Sequence, residues 1–210
     1  MSETGWPLHC FKAYDIRGIA GDPLTPAFAR RLGRSLATFL DCESLAVARD
    51  IRESGTELHA AFVEGLLASG VDVHDLGIMP TGALYHATHS LDVDGGVVIT
   101  ASHNPPEYNG FKMCRGTASM AGEELQKLRE VFEAGEFRSG KGELVKVKDF
   151  QEQYFDAIIE SSGRPRRAVK LVVDSGNAVP GPFVKAILKA LGADATCILC
   201  DWDNTFPVHP

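Results

Sequence analysis

The sequence predicts a layered α/β fold, and three observations support this prediction. Short apolar runs such as Ser44 to Asp50 and Gly95 to Thr100 have the length and composition of strands. Apolar residues recur at near-helical spacing between Phe28 and Leu40 and between Glu123 and Phe132. Strands and helices of this kind alternate to the end of the chain. Such alternation is typical of layered α/β proteins, which bind ligands beyond the carboxyl ends of their central strands.

The first half of the chain contains most of these elements. The turn-forming residues Asp22 to Pro26 precede the first helical stripe. Ser54 and Glu57 have the spacing of a capping box, so we expect a second helix to begin there and to end at Gly70. Gly95 to Thr100 has no polar side chain before its end, which is typical of a buried central strand. Two further elements are predicted in this half, a strand over Val71 to Leu76 and a helix over Thr81 to Leu91.

A second unit is predicted after a break in the pattern. Residues Ala134 to Lys148 are rich in Gly, Lys and Glu and interrupt the periodicity, so we place the domain boundary there, with units at residues 1–147 and 148–210. The second unit has only about two strands, fewer than independent stability usually needs, and we expect it to be incomplete. Its predicted elements are helices at Phe150 to Ile159 and Val184 to Leu191 and strands at Val169 to Asp174 and Ala195 to Cys200.

Composition excludes several classes of function. The 210 residues are 44% hydrophobic, and 28 acidic against 21 basic residues give a net charge of −7, which argues against a sequence-independent nucleic-acid binder. No apolar stretch reaches the ~20 residues of a membrane helix. Met1 to Pro7 lacks the pattern of a secretory signal, so a cytoplasmic location is expected. The five cysteines are expected to be reduced thiols.

The segment most suggestive of chemistry is Thr100 to Lys112, which follows the apolar run directly. Such a loop places the Ser102 hydroxyl at the carboxyl edge of a sheet, and Pro105 and Pro106 stiffen its exit. A held serine can act as a nucleophile, and Lys112 could stabilise a transferring phosphoryl group. The same residues are also compatible with a plain turn that caps the next element. A Ser-His-Asp hydrolase is disfavoured because the G-x-S-x-G elbow is absent.

Four ordered segments carry a resemblance to a known family. Residues Thr100 to Pro105 with Tyr108 to Lys112, and the segments Phe11 to Gly18, Arg49 to Ser54 and Val172 to Asn177, resemble motifs of the α-D-phosphohexomutases, the phosphomannomutases and phosphoglucomutases. The resemblance runs from residue 11 to the terminal residues 206–210. It implies a layered α/β/α phosphoserine domain with a mixed sheet, followed by part of a second α/β domain of similar type.

The resemblance also implies roles for individual residues. Ser102 matches the residue that carries the phosphoryl group, whose phosphate oxygen is also one ligand of the family's Mg²⁺. His103, Asn104, Lys112 and Arg17 would then be catalytic, and Tyr14, Arg17 and Lys112 would bind substrate. Arg49 and Arg52 match a basic segment for which direct catalysis and a structural ion pair with Asp50 or Glu53 are both open.

The implied activity is the interconversion of hexose 1-phosphate and hexose 6-phosphate, with glucose or mannose 1,6-bisphosphate as the activating intermediate. The family's metal loop, sugar loop and C-terminal domain would follow residue 210, so we expect these 210 residues alone to be inactive and the full-length parent to be a monomer or a dimer. Two alternatives are a phosphoglucosamine mutase and a non-catalytic module that binds sugar phosphates.

Three other features are expected to be structural. His86 and His89 lie three apart on a predicted helix but have no third metal ligand in view. Cys114 is expected to pack in the interior and Arg115 to be exposed to solvent. Asn177 is followed by Ala178, where relatives commonly have glycine, a change that alters at most a turn.

Overall fold

The computed structural model describes residues 5–163, 165, 167 and 169–208. Strands and α-helices alternate through these residues, after a single 3-10 turn at Leu8–Cys10. The strands are β1 (Ile16–Ile19), β2 (Ser44–Arg49), β3 (Asp72–Ile78), β4 (Gly95–Ile99), β5 (Tyr108–Arg115), β6 (Ala118–Ser119), β7 (Leu144–Lys146), β8 (Lys170–Asp174) and β9 (Asp194–Ile198). The helices are α1 (Pro26–Leu40), α2 (Gly55–Leu67), α3 (Thr81–Ser90), α4 (Glu123–Ala134), α5 (Phe150–Ser162) and α6 (Pro180–Ala190).

The larger sheet is mixed, as the resemblance implied. Its strand order is β1-β5-β4-β2-β3-β7, and β6 pairs with β5. Strands β4, β2, β3 and β7 run parallel, whereas β5 is antiparallel to both β4 and β1. Strand β4 is buried along its whole length. It is therefore the central strand that the apolar run predicted.

Side chains on the two faces of this sheet enter two separate cores. In β4, Val97 and Ile99 join the core formed with α1, α2 and α4, whereas Val98 joins the core formed with α3. Alternate residues of a strand point to opposite faces, so one apolar strand contributes to both cores. The result is three layers, α/β/α, which confirms the predicted fold class.

Helices α1 and α2 cross at two glycines. A Cβ atom on Gly33 would lie 2.3 Å from the carbonyl oxygen of Phe62, and one on Gly65 would lie 2.2 Å from that of Arg30. The backbones therefore approach more closely than any side chain would allow. Thr25 begins α1 by accepting a hydrogen bond at Oγ1 from the Phe28 N–H, 3.1 Å away, as the turn before this helix predicted.

The second unit packs against the α3 side of the sheet. Phe150 of α5 and Phe183 of α6 are buried in the same core as α3, and strands β8 and β9 form a separate parallel pair. The pair follows the predicted β-α-β order. The domain boundary at residues 147/148 remains a prediction, and residues 1–4, 209 and 210, which belong to the predicted units, lie outside the described residues.

Several elements differ from the sequence-based expectations. Lys112 lies within strand β5 and not in a loop, and strands β1, β5, β6 and β7 were not predicted. The expected capping box is wrong, because Ser54 Oγ accepts a hydrogen bond from the Asn109 side chain and makes none to its own helix. The last strand ends at Ile198, two residues before Cys200. Within the described ranges, none of the helices is long and apolar enough to cross a membrane.

Candidate active site

The serine loop, residues 100–107, follows the carboxyl end of β4 and leads into β5. Ser102 adopts a left-handed backbone conformation with φ of 54°. This conformation is uncommon for residues other than glycine and is concentrated at functional sites. The Ser102 N–H donates to Oγ1 of Thr100 at 3.0 Å, so a neighbouring side chain fixes the turn. Ser102 is exposed, and its hydroxyl is therefore accessible from the surface.

Two cations share one buried carboxylate beside this loop. Asp15 is 3% exposed and pairs through Oδ2 with both Arg17 and Lys112, the latter at 3.3 Å. Arg17 also donates to Oδ1 of Asn104 in the serine loop at 2.5 Å. Strands β1 and β5 are adjacent and antiparallel, which is why residues distant in sequence meet here. The site thus offers a pair of positive charges at the edge of the serine loop.

Tyr14 extends this cationic edge. It is 66% exposed, and its ring centroid lies 5.6 Å from the ammonium nitrogen of Lys112. An exposed aromatic ring beside a lysine can contact a sugar face while the cation meets a phosphate. The structure therefore brings together Arg17, Asn104, Lys112 and Tyr14, which the sequence had placed in one site.

A cleft separates the serine loop from the second unit. Two cavities of about 260 and 380 Å³ lie there, and Ser102 and His103 line both. Ala178, Pro180 and Phe206 close the opposite side. Volumes of this size suit a small polar ligand better than a macromolecule. His103 is exposed and lies at the cleft, where its imidazole can reach a bound molecule.

The two arginines of the basic segment, Arg49 and Arg52, lie in different environments. Arg52 is 2% exposed and pairs with the Asp50 carboxylate at 3.1 Å, so the structural ion pair considered for this segment is present. Arg49 is half-buried and donates to the backbone carbonyl of Asp50 at 3.0 Å. Burial lowers the pKa of Arg52, and Asp50 acts in the opposite direction. A guanidinium nevertheless remains charged at neutral pH.

The described residues do not by themselves form a Mg²⁺ site. In the part of the chain that the structure describes, no group of three or more His, Cys, Asp or Glu side chains is placed to hold a metal ion. Mg²⁺ needs six oxygen ligands, some of them water, and is usually anchored by carboxylates and phosphate. A phosphate on Ser102 would supply one ligand only.

The features expected to be structural have ordinary packing partners. The His86 ring contacts the rings of Phe150 and Tyr154 of α5 in tilted geometry, with centroid distances of 5.9 and 5.6 Å, so His86 links the two units. Burial raises the pKa of the Cys114 thiol, and Arg115 pairs with Glu124 at 3.0 Å. All five cysteines are free thiols.

Sequence reasoning missed two residues of the site. Asp15 lies inside the motif Phe11 to Gly18. The available signal was its position directly after Tyr14 and two residues before Arg17. Asn109 is fully buried and links β5 to Ser54 at the start of α2, with 3.0 Å between Nδ2 and Oγ. Nothing local in the sequence predicts that contact, because the partners are 55 positions apart.

Comparison with known proteins gives a consistent family. Residues 9–139 match the family model described as "Phosphoglucomutase/phosphomannomutase, alpha/beta/alpha domain I". The chain is 40% identical over 208 residues to a phosphomannomutase/phosphoglucomutase of Pseudomonas aeruginosa, with 97% of this chain and 44% of the relative covered. A phosphoglucomutase of Neisseria meningitidis is also 40% identical, with coverage of 95% and 44%.

Solved structures agree with the sequence matches. A phosphoglucomutase/phosphomannomutase family protein from Burkholderia thailandensis has a TM-score of 0.90 and 39% identity, covering 96% of this chain and 46% of that one. A structure titled as a phosphomannomutase from Thermus thermophilus has a TM-score of 0.81 and 25% identity, with coverage of 94% and 47%. The chain therefore spans under half the length of these relatives. Because the family model matches more than half of its residues, the chain belongs to the phosphoglucomutase/phosphomannomutase family.

Proposed function

We propose that this chain is the N-terminal part of a phosphohexomutase that interconverts hexose 1-phosphate and hexose 6-phosphate through a phosphoryl group on Ser102. The observation that carries the proposal is the position of Ser102. It lies in a left-handed turn after the central strand and lines a cleft. Its loop contacts Arg17 of β1 through Asn104, and Arg17 shares the Asp15 carboxylate with Lys112 of β5. The names of the relatives support the substrate class.

The proposed reaction consists of two phosphoryl transfers. A free hydroxyl of the hexose monophosphate attacks the phosphorus of phospho-Ser102. The new P–O bond forms to the sugar and the bond to Ser102 Oγ breaks, while the sugar hydroxyl gives up its proton and the leaving Ser102 Oγ takes one up. The resulting 1,6-bisphosphate reorients in the cleft, and the Ser102 hydroxyl then attacks its other phosphate and loses its proton. The P–O bond to the sugar breaks, the sugar oxygen is protonated, Ser102 is rephosphorylated and the isomeric monophosphate leaves.

The neighbouring side chains have distinct proposed roles. Transferring phosphoryl groups carry negative charge on their equatorial oxygens, so catalysis depends on positioned cations. Lys112 and Arg17 would stabilise this charge and bind substrate phosphate, with Tyr14 against the sugar. His103 faces the cleft and would exchange the proton of the attacking or leaving hydroxyl. Asn104, held by Arg17, would orient the loop edge.

Several further expectations accompany this proposal. Mg²⁺ would bind through the phosphate of Ser102 together with ligands other than the described residues. Glucose or mannose 1,6-bisphosphate would load the serine. The whole protein would bind hexose phosphates and neither nucleic acid nor membrane. It would be a cytoplasmic monomer or dimer.

The test replaces Ser102 in the whole protein. Ser102→Ala should abolish turnover of mannose 1-phosphate and glucose 1-phosphate and should remove the phosphoryl group that peptide mapping finds after incubation with glucose 1,6-bisphosphate. Ser90→Ala is the matched control, since Ser90 Oγ bonds only to the His86 carbonyl of its own exposed helix end. Normal turnover by Ser102→Ala would refute the proposal. Faster turnover of glucosamine phosphate would assign a phosphoglucosamine mutase, and binding without turnover in the wild type would assign a sugar-phosphate-binding module.

A further inference from the structure

Arg52 has every side-chain donor engaged. Its Nε donates to Asp50 Oδ2 at 3.1 Å. Its two Nη atoms donate to four backbone carbonyls of the serine loop and the start of β5, those of Pro105 at 2.6 Å, Tyr108 at 3.1 Å, Ser102 at 3.1 Å and Asn104 at 2.7 Å. A guanidinium has five N–H donors. These five bonds use all of them, so Arg52 has no donor left for a phosphate.

The serine loop needs a hydrogen-bond donor from outside the loop. Pro105 and Pro106 have no N–H to donate, and the loop's own backbone bonds include Asn104 N–H to Ala101 and Tyr108 N–H to Pro105, each 3.1 Å. The carbonyls of Ser102 and Asn104 meet the guanidinium of Arg52, and so does the Pro105 carbonyl, which accepts from Arg52 in addition to the Tyr108 N–H. A left-handed serine persists only where its surroundings determine it. The Ser102 carbonyl bond to Arg52 is one such constraint.

An aromatic ring covers one face of this guanidinium, and a carboxylate pairs with its charge. The ring of Phe206 in the second unit lies 5.4 Å from Cζ of Arg52. The Asp50 carboxylate, which also accepts the Arg52 N–H at 3.0 Å, neutralises its charge. The guanidinium holds its N–H donors in a fixed plane, so hydrogen bonds to this buried group are rigid. A lysine ammonium cannot reproduce them, because its three N–H donors are all on one nitrogen atom.

We propose that Arg52 is a positioning residue for phosphoryl transfer, whose fork fixes the backbone of the serine loop and so sets the direction in which Ser102 presents its oxygen. This proposal rests on the proposed function, since it concerns the same reaction. In this role Arg52 binds the backbone of the serine loop and does not bind the phosphoryl group. Its role also differs from that of Arg17, because Arg17 binds the side chain of Asn104 whereas Arg52 binds the backbone carbonyl of that residue.

The test compares two arginines in the whole protein, the buried Arg52 and the partly buried Arg138. Arg138 offers the matched control, because it also binds backbone carbonyls, those of Ser69 at 2.8 Å and Cys42 at 2.5 Å, but these lie at the ends of α1 and α2. Both Arg52→Lys and Arg138→Lys should lower the melting temperature. Only Arg52→Lys should lower kcat, by about 100-fold if the oxygen is displaced by an ångström, with KM changed less than about threefold.

Hydrogen exchange supplies a readout that does not depend on turnover. The amides of Asn104 and Tyr108 should exchange at least about tenfold faster in Arg52→Lys and at the wild-type rate in Arg138→Lys. If Arg52→Lys does not fold, NMR of the Arg52 guanidinium in the wild type tests the positioning role. Its Nη protons should exchange slowly, equally with and without a phosphoryl group on Ser102.

The outcomes separate the two proposals. Equal kcat in the two lysine variants with unchanged loop exchange, or rapidly exchanging Nη protons in the wild type, would overturn the positioning role. Turnover that survives Ser102→Ala would overturn the proposed function instead. Faster amide exchange of the serine loop in Arg52→Lys would then still show that Arg52 fixes the loop backbone, but without a consequence for phosphoryl transfer. A rise in KM at constant kcat would assign Arg52 to substrate binding and would also overturn the inference.

Discussion

The ammonium nitrogen of Lys112 lies 3.3 Å from the buried carboxylate of Asp15, a residue 97 positions away in the sequence. The same oxygen of Asp15 also pairs with Arg17. One carboxylate therefore fixes both cations that we assign to phosphate binding. Long cationic side chains lose considerable freedom when held, and a buried anion supplies the energy to hold them.

Replacement of this carboxylate should impair phosphate binding. In Asp15→Asn the amide keeps the shape of the side chain but not its charge, so Lys112 and Arg17 become less fixed. We expect kcat/KM for hexose phosphate to fall roughly fivefold, equivalent to about 1 kcal/mol. Steady-state kinetics on the whole protein measure this. Asp156→Asn, on the exposed side of α5, is the control. An unchanged kcat/KM in Asp15→Asn would show that the two cations are positioned without Asp15.

The contact between Ser54 and Asn109 should contribute to stability. Asn109 is fully buried, and Ser54→Ala would leave its side-chain N–H without this partner. We expect a loss of about 1–2 kcal/mol in the free energy of unfolding, measured by urea titration. Ser90→Ala, at an exposed helix end, should cost less than about 0.5 kcal/mol.

A double-mutant cycle tests the pairing itself. Ser54→Ala and Asn109→Ala should be coupled by about 1 kcal/mol, because each removes the same hydrogen bond. If Ser54 instead capped α2, as its spacing from Glu57 had predicted, the two losses would simply add. Additive losses would therefore contradict the contact.

These residues also show how far the sequence could predict the structure. The apolar run before Ser102 identified the central strand, because burial on both faces leaves a continuous hydrophobic signature. Strand β5 was not predicted, since the polar Asn109 falls on the same face as the buried Phe111 and Met113 and interrupts the apolar side of the alternation. The role of Ser54 was mispredicted for a related reason. A local pattern specifies which bonds a side chain can make, and only the tertiary fold determines which partner it meets.

The same limit applies to the site. The residues around Ser102 predicted a held turn after the central strand, because Ser, Asn and Pro in sequence favour one. The structure shows this turn, and the chemistry assigned to it stays a prediction. For Arg52 the sequence left both an ion pair and direct catalysis open, and the structure shows the ion pair together with bonds to three carbonyls of the serine loop and to that of Tyr108. No sequence pattern encodes these bonds. Backbone carbonyls are present at every residue, so their convergence has no signature in residue type.

Asp75 should make the stability of the first unit depend on pH in acid. Burial acts to raise its pKa, but contact with His59, the Gly77 N–H donated to Oδ1 and the charge of Lys146 outweigh burial and lower the pKa below the usual value. A lowered folded-state pKa means that the ionised carboxylate stabilises the fold. This contribution is complete above the unfolded-state pKa of about 3.9 and is lost as the pH falls towards the lower folded-state pKa.

The measurement compares wild type with Asp75→Asn by urea unfolding between pH 7 and pH 3. The wild type should be more stable than the variant at pH 6, and the difference should shrink below about pH 4. Asp156→Asn should follow the wild type over the same range. A difference between wild type and Asp75→Asn that is constant across the range would contradict the role given to the ionised carboxylate.

The glycine contact between α1 and α2 should not tolerate a methyl group. A Cβ on Gly65 would lie 2.2 Å from the Arg30 carbonyl oxygen and 3.1 Å from the Arg34 nitrogen, both backbone atoms that cannot rotate away. Alanine ordinarily favours a helix over glycine by about 1 kcal/mol. Here the two helices must separate, and we expect Gly65→Ala to lose about 1–3 kcal/mol in the free energy of unfolding.

Gly55 on the same helix is the matched control. A Cβ there would lie 3.7 Å from the nearest atom, the Asp50 carbonyl oxygen, which is ordinary contact. Gly55→Ala should therefore be neutral or stabilising by up to about 1 kcal/mol. Urea unfolding of both variants distinguishes crowding from helix propensity, because propensity alone gives the two substitutions the same sign. Stabilisation by Gly65→Ala would mean that α1 and α2 are further apart in solution than the distances at Gly33 and Gly65 indicate.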